Sequence, residues 1–349
     1  MARERRLDEL SILNVLFCLL VVLIHCLSHA VSVLDKLSWQ YGLVQVVQRL
    51  SFLAVPGFFY LSGVKLTLPR ERKQDLRTYY VNRVKHLLAP YLLAAAISYL
   101  VFTLLGYCTF SPAEFLKETA LGSLSAQFYF LIALIQFILL APMFQWLVKR
   151  YDPVVLLPLA LGITWLSSMY LPSILLLFNP DDWFPYGDRI FTSYLIYFLA
   201  GCCAGNAYPT FLALLKKHRA LLLASTAIFA AADGIVSVMA FSGRREAPYL
   251  ELIHTLYALS TIFLLHHWAV LYGKELARRP LLRAIDRASY LIYLYHCIVI
   301  TLFNEYAPHL VGSRVIVLLP LRILVVYPAT IAGCILWQRL WTAIKQKSN

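Results

Sequence analysis

The chain has 349 residues, 60% of them hydrophobic and only 14% charged, with a formal net charge of +13. A soluble globular protein carries roughly 25% charged residues, so this composition excludes a water-soluble particle. The positive charges sit in short segments between apolar runs, a pattern that fits membrane orientation and attraction to anionic lipid or an anionic cosubstrate better than nucleic-acid binding.

A crossing helix needs about 20 apolar residues. In chain order the sequence predicts ten such spans, at 11–31, 44–66, 87–106, 123–147, 154–176, 190–206, 220–241, 249–271, 288–304 and 314–337. The fold class expected is therefore all-α, a polytopic membrane helix bundle forming a single membrane domain over 1–349. The first span follows Arg3, Arg5 and Arg6, and Ser28-His29-Ala30 resembles a signal-peptide cleavage site. Its length suits a retained span better than a cleaved leader. The second span holds Pro56 and Gly57, where a kink is expected. The 22 Tyr, 20 Phe and 7 Trp suit aromatic belts at the membrane interfaces. No internal repeat or low-complexity linker is evident. The seven cysteines form no C-x-x-C and no paired framework, and read as small buried hydrophobes.

Loop charge orients the spans. With ten crossings and both termini cytoplasmic, the inner segments hold 22 Lys and Arg, and the outer ones hold six: Lys36, Lys117, Arg189, Arg244, Arg245 and Arg314. This is the alternation that the positive-inside rule demands.

Ionisable groups inside spans are costly, so each is a functional candidate. They are His25, Arg49, Asp233, His254, His266, His267, His296 and Arg322, joined by the uncharged Asn14 and Gln127. Asn14 and His25 are eleven residues apart, which returns to one face of a helix about 16 Å further along. His25 and His29 are spaced as a metal pair, but no acidic or Cys partner lies nearby in sequence, so no metal is expected. An interhelical hydrogen bond is the plainer role for His25. His266 and His267 point about 100° apart on a helix, and interfacial anchoring is expected of them. Asp233 and Arg322 are candidates for a buried ion pair. Arg83, Lys85 and His86 enter the third span as a basic cluster able to hold phosphates.

Six segments resemble the acyltransferase 3 family of bacterial membrane O-acyltransferases. They are Leu7-Asp8-Glu9-Leu10 leading to Val22-Leu23-Ile24-His25, then Phe58-Phe59-Tyr60-Leu61-Ser62-Gly63, then Tyr80-Val81-Asn82-Arg83-Val84-Lys85-His86 with Ala89-Pro90-Tyr91. Gln127-Phe128-Tyr129-Phe130-Leu131, Tyr197-Phe198-Leu199-Ala200-Gly201 and Ser289-Tyr290-Leu291-Ile292-Tyr293-Leu294-Tyr295-His296 follow in family order. Asn14 stands where the family usually has a basic residue, His86 where it has a second arginine, and Gln127 where it has histidine.

The resemblance implies a ten-helix core with a cytoplasmic N-terminus in the bacterial plasma membrane. It implies acyl-CoA as cosubstrate, acetyl-CoA being the common case, with no permanently bound cofactor. The acceptor implied is a hydroxyl of a cell-envelope glycan or lipid-linked sugar, with a partner enzyme for its delivery as a further expectation. On this reading His25 is the general base. Asn14, Arg83, Lys85 and His86 bind the CoA moiety, and Ser62, Gln127, Tyr129 and His296 line the substrate tunnel. Two other readings stay open: a glycan or lipid transporter or flippase, and a non-catalytic membrane partner in a glycan-synthesis complex.

Overall fold

A computed structural model describes residues 7–69, 75–178, 187–241 and 251–347. The basic residues Arg3, Arg5, Arg6, Arg70, Arg72, Lys73, Arg244 and Arg245, which enter the loop-charge reading, lie outside the described residues, as do positions 249 and 250 of the eighth predicted span.

Among the described residues the chain forms fifteen α-helices and no strand. The first eight are α1 (Asp8–Val33), α2 (Trp39–Ser51), α3 (Ala54–Thr67), α4 (Leu76–Arg83), α5 (Ala89–Leu104), α6 (Pro112–Leu121), α7 (Tyr129–Leu139) and α8 (Ala141–Arg150). They are followed by α9 (Pro153–Phe178), α10 (Leu195–Asn206), α11 (Tyr208–Lys217), α12 (Arg219–Phe241), α13 (Leu252–Leu276), α14 (Pro280–Val311) and α15 (Val315–Lys347). Seven helical stretches are long and apolar enough to cross a membrane, or nine if each of two sharply bent helix pairs counts as one crossing. The ninth predicted span, 288–304, lies within the 32-residue α14. The chain is an all-α polytopic membrane protein.

Local chemistry explains the helix ends. Asp8 and Glu9 occupy the first turn of α1, where carboxylates complement the helix dipole. Ser38 caps α2 by accepting from the Tyr41 amide at 3.2 Å. Gly122 ends α6 at φ +64°, a conformation that favours glycine.

Three predicted spans differ from what forms. The break in the second falls between α2 and α3 at Phe52–Leu53, before Pro56 and Gly57. Pro56 is the third residue of α3, where a missing N–H costs nothing because no carbonyl in the helix awaits it. Gly57 instead makes room for the Phe17 ring, which would lie 2.5 Å from an added Cβ. Residues 123–128 of the fourth span are not helical, and α7 and α8 meet at a 60° bend. The bend sits beside Pro142, which cannot donate to a carbonyl one turn back. The sixth span turns by 106° at Ala207, just before Pro209, into α11, where a loop was expected.

The described residues divide into two compact units, Met1–Leu68 with Gln136–Arg287, and Pro69–Ile135 with Ala288–Asn349. In the first unit, α3 and α10 pack backbone to backbone. A Cβ added at Gly201 would lie 2.1 Å from the Tyr60 carbonyl oxygen, and one added at Gly205 would lie 2.4 Å from that of Val64. Lipid tails are as apolar as the helices, so close van der Waals packing through small residues replaces hydrophobic drive in holding such pairs. An aromatic layer continues the contact: Phe59 stacks on Tyr194 at 4.5 Å and Phe137 on Phe198 at 4.2 Å.

The second unit is held by tyrosine hydroxyls. Tyr91 Oη donates to the Thr119 carbonyl at 2.5 Å, and Tyr99 accepts from the Ser111 amide at 2.8 Å. From α14, Tyr290 donates to the Leu87 carbonyl at 2.7 Å and Tyr293 donates to the Gln127 carbonyl. A π turn over Val84–Leu88 joins α4 to α5 just ahead of Pro90. Such turns mark places where the regular helical ladder is interrupted, often at functional sites.

Candidate functional site

In the first unit, α1 runs unbroken for 26 residues and carries both Asn14 and His25. Each is half-buried. The Asn14 side-chain amide donates to Asp286 Oδ1 at 2.7 Å, and Asp286 is itself buried. The neutral amide therefore holds a carboxylate that a basic residue at the same place would neutralise outright. His25 lies in a stretch of α1 locked by α2: Gln48 Nε2 donates to the Ile24 carbonyl and to Ser28 Oγ, both at 3.0 Å. Ser62 on α3 is half-buried and donates back to the Phe58 carbonyl of its own helix at 2.8 Å.

In the second unit, Arg83 ends α4 with its guanidinium 5.2 Å from the Tyr79 ring centroid. Lys85 and His86 are exposed on the π turn, while Arg83 is half-buried. The three cationic or potentially cationic groups thus stand on neighbouring residues at one helix junction, with the exposure an anionic ligand requires. Gln127 is fully buried: its amide donates to the Leu294 carbonyl at 3.0 Å while its Oε1 accepts from Ser125 at 2.7 Å. It ties the segment before α7 to α14. Tyr129 opens α7 and is half-buried.

His296 is fully buried on α14. Its Nδ1 lies 3.0 Å from the Ile292 carbonyl and 2.9 Å from that of Tyr293. Carbonyls only accept, so Nδ1 carries the proton and Nε2 presents its lone pair, with Cys297 Sγ at 3.4 Å. An imidazole pinned in one tautomer by its own helix is suited to accept a proton or to orient a hydroxyl.

Two polar clusters in the first unit are not legible as clusters in the sequence, although Arg49, Asp233, His254 and His266 stand out singly. Arg49 donates from Nε to Asp233 Oδ1 at 2.8 Å, His254 Nδ1 lies 2.8 Å from Asp233 Oδ2, and Glu251 lies 3.4 Å from Arg49. The expected partner of Asp233 was Arg322, but Asp233 is occupied by Arg49 and His254. Arg322 stacks over the Phe303 ring at 5.5 Å. The second cluster joins Glu9, Tyr208, His266 and Tyr60. His266 and His267 are both buried, which overturns interfacial anchoring. Their different directions hold: His266 enters this cluster, whereas His267 lines an apolar groove with Leu212 and Lys216. Bonding partners far apart in the chain leave no spacing signal, so single-sequence reading reaches the members and not the pairs. No disulfide joins the seven cysteines and six of them are buried, as expected.

A family model described as "Acyltransferase domain" matches residues 7–338. A protein of Bacillus subtilis (strain 168) named "Putative membrane-bound acyltransferase YfiQ" is 26% identical over 299 residues, covering 83% of this chain and 80% of that protein. No solved structure matches the chain.

Proposed function

The chain belongs to the acyltransferase 3 family and is a multi-pass membrane acyltransferase; from that membership we propose that it moves an acyl group, acetyl in the first instance, from cytoplasmic acyl-CoA to a hydroxyl of a cell-envelope glycan or lipid-linked sugar. In this reading both termini are cytoplasmic. His25 takes the proton from the acceptor hydroxyl as its oxygen attacks the thioester carbonyl. The carbon–sulfur bond breaks, the ester forms, and the thiolate leaves to be protonated as free CoA. Histidine suits the base role because its pKa lies near working pH.

The observation that carries the reading is the continuity of α1. One uninterrupted helix bears Asn14 and His25, separated by about 16 Å of rise, so a single rigid element links a donor level to an acceptor level. Arg83, Lys85 and His86 supply positive charge for the CoA phosphates. Gln127 positions the segment before α7, and Ser62, Tyr129 and His296 are tunnel-lining candidates. Family membership favours this enzyme reading over a transporter, a flippase or a non-catalytic partner.

The test is release of free thiol from acetyl-CoA by the purified protein. His25→Ala is expected to abolish it while insertion and yield stay at wild-type levels. Full activity in that variant would remove the base assignment.

A further inference from the structure

In the first unit α11 turns away from α10 by 106°, so it lies across the spans instead of continuing one. Its two faces differ: Tyr208 and Leu215 are buried, whereas Leu214 is 49% exposed. It ends on Lys216 and Lys217, with His218 and Arg219 following, and all four are exposed. A short helix that is apolar toward lipid and cationic at one end belongs at the membrane interface. The adjoining part of α13 carries the same signature. Trp268 and Tyr272, one turn apart, are 47% and 60% exposed, and exposed Trp and Tyr gather at the interface.

Between α11 and α13 runs a groove of about 230 Å3. Leu212 and Leu215 line one side, Val270 and Leu271 the other, and Lys216 and His267 are its polar members. The groove is smaller than the roughly 300–1,000 Å3 of a small-molecule pocket, and the exposed Val270 and Leu271 leave it open toward the surroundings. It suits one acyl chain laid along it. His267 makes the groove more than apolar. Its residue is 6% exposed, and among the described residues it makes no hydrogen bond and Lys216 makes no ion pair. An imidazole always keeps at least one N–H donor, and a buried donor left without an acceptor costs the desolvation of that group. Hydrocarbon tails supply no acceptor. The occupant that fits is apolar along its length and carries anionic oxygens at the end beside Lys216.

We propose that this groove seats one anionic phospholipid of the surrounding leaflet, with its phosphate against Lys216 and His267 and one acyl chain along Leu212, Val270 and Leu271. The inference rests on the membrane-spanning fold and not on the acyl-transfer reading above. Charge and apolarity each narrow the choice. A zwitterionic phospholipid brings the same chain and phosphate, but its own cation is repelled by Lys216, Lys217 and Arg219. Inorganic phosphate brings the charge and leaves the apolar walls uncovered. Runs of Lys and Arg beside a span attract anionic lipid in general. Here the run ends at a shaped groove with an imidazole in its wall, so one molecule is held in place of a diffuse layer. The seat also has a mechanical sense. Tyr208 joins the first turn of α11 to His266 of α13 at 3.1 Å, and the lipid joins the last turn of α11 to His267.

The experiment uses the full chain, delipidated in detergent, with dioleoyl phosphatidylglycerol, dioleoyl phosphatidylcholine and inorganic phosphate as probes. Native mass spectrometry counts bound lipid, and the unfolding midpoint reads the stabilisation that binding confers. Wild type is expected to hold one phosphatidylglycerol per chain, about fivefold or more tightly than phosphatidylcholine. Lys216→Gln and His267→Phe should each remove most of that preference. Val270→Trp fills the groove and should weaken both lipids. Lys149→Gln, which removes a lysine from the last turn of α8, should leave the preference intact and so separates the groove from general surface charge. Lys216 is exposed, so its variant decides the matter whether or not the groove variants fold. Equal retention of the two lipids by wild type, or an undiminished preference in Lys216→Gln, would overturn the seat. So would inorganic phosphate raising the midpoint as much as phosphatidylglycerol does, which would mark a site for free anions. A two-chain mass that disappears in Val270→Trp would instead make the groove a contact between copies. None of these outcomes depends on thiol release, so the seat and the acyl-transfer reading fail separately.

Discussion

Arg49 and Asp233, 184 positions apart in the chain, form an ion pair of 2.7 Å with both side chains essentially sealed from solvent. Asp233 uses its second oxygen on His254. Desolvating charges is expensive, and breaking a buried pair by removing one partner strands the other. Asp233→Ala is therefore expected to destabilise the protein by about 3–5 kcal/mol. The double replacement Asp233→Leu with Arg49→Met should recover much of that loss. Unfolding midpoints of the three variants in one detergent check this, and a single variant as stable as wild type would show the pair to be uncoupled from folding.

Gly201 is where α3 and α10 touch. An added Cβ would sit 2.1 Å from a backbone oxygen rather than beside a flexible side chain, so the helices themselves have to separate. Gly201→Ala is expected to cost about 1–3 kcal/mol by overpacking. Gly162→Ala is the control: nothing lies within 4 Å of its added Cβ, and it should match wild type in both thermal melting and thiol release.

Gln127 satisfies both ends of its amide in a buried site. Gln127→Leu keeps the bulk but leaves the Leu294 carbonyl and the Ser125 hydroxyl without this partner, a loss of about 1–3 kcal/mol. The melting temperature should fall accordingly. If melting were unchanged, the tie between the segment before α7 and α14 would not be what holds that segment.

The exposed basic junction makes a prediction about salt. Lys85→Ala with His86→Ala should raise the KM for acetyl-CoA several-fold and leave kcat near wild type, since uniform binding is what the phosphate contacts supply. The gap should narrow at high ionic strength, where a Debye length of about 3 Å at 1 M screens exposed charges. A KM that is the same for both proteins at low salt would exclude this junction as the donor mouth.

Asn14 tests the departure from the family pattern. It already donates to Asp286, so Asn14→Asp would set two carboxyl groups against one another in a part-buried place. Such a pair ionises only once and forces the other group to hold a proton. The variant should unfold more readily as pH rises above the carboxylate range, whereas wild type should not. Equal melting at pH 5 and pH 8 in the variant would show that the site relaxes.

The sequence by itself determined the class of molecule. Apolar runs of helix-spanning length are a local property, and α1, α9, α12 and α13 lie close to where those runs predicted them. The spacing of Asn14 and His25 on one face was equally legible, because helical periodicity is local. The sequence also marked Arg49, Asp233, His254 and His266 as costly where they stand. Tertiary structure alone decided their partners. Asp233 pairs with Arg49 rather than the expected Arg322, and His266 belongs to a buried cluster with Tyr60 and Tyr208 rather than to an interface. The physical reason is that burial cost is set by a residue's own segment, whereas compensation comes from whichever helix packs against it. That choice depends on close contacts such as Gly201 on Tyr60, on the shift of a break away from Pro56, and on bends at Leu140 and Ala207, none of which leaves a period in the chain.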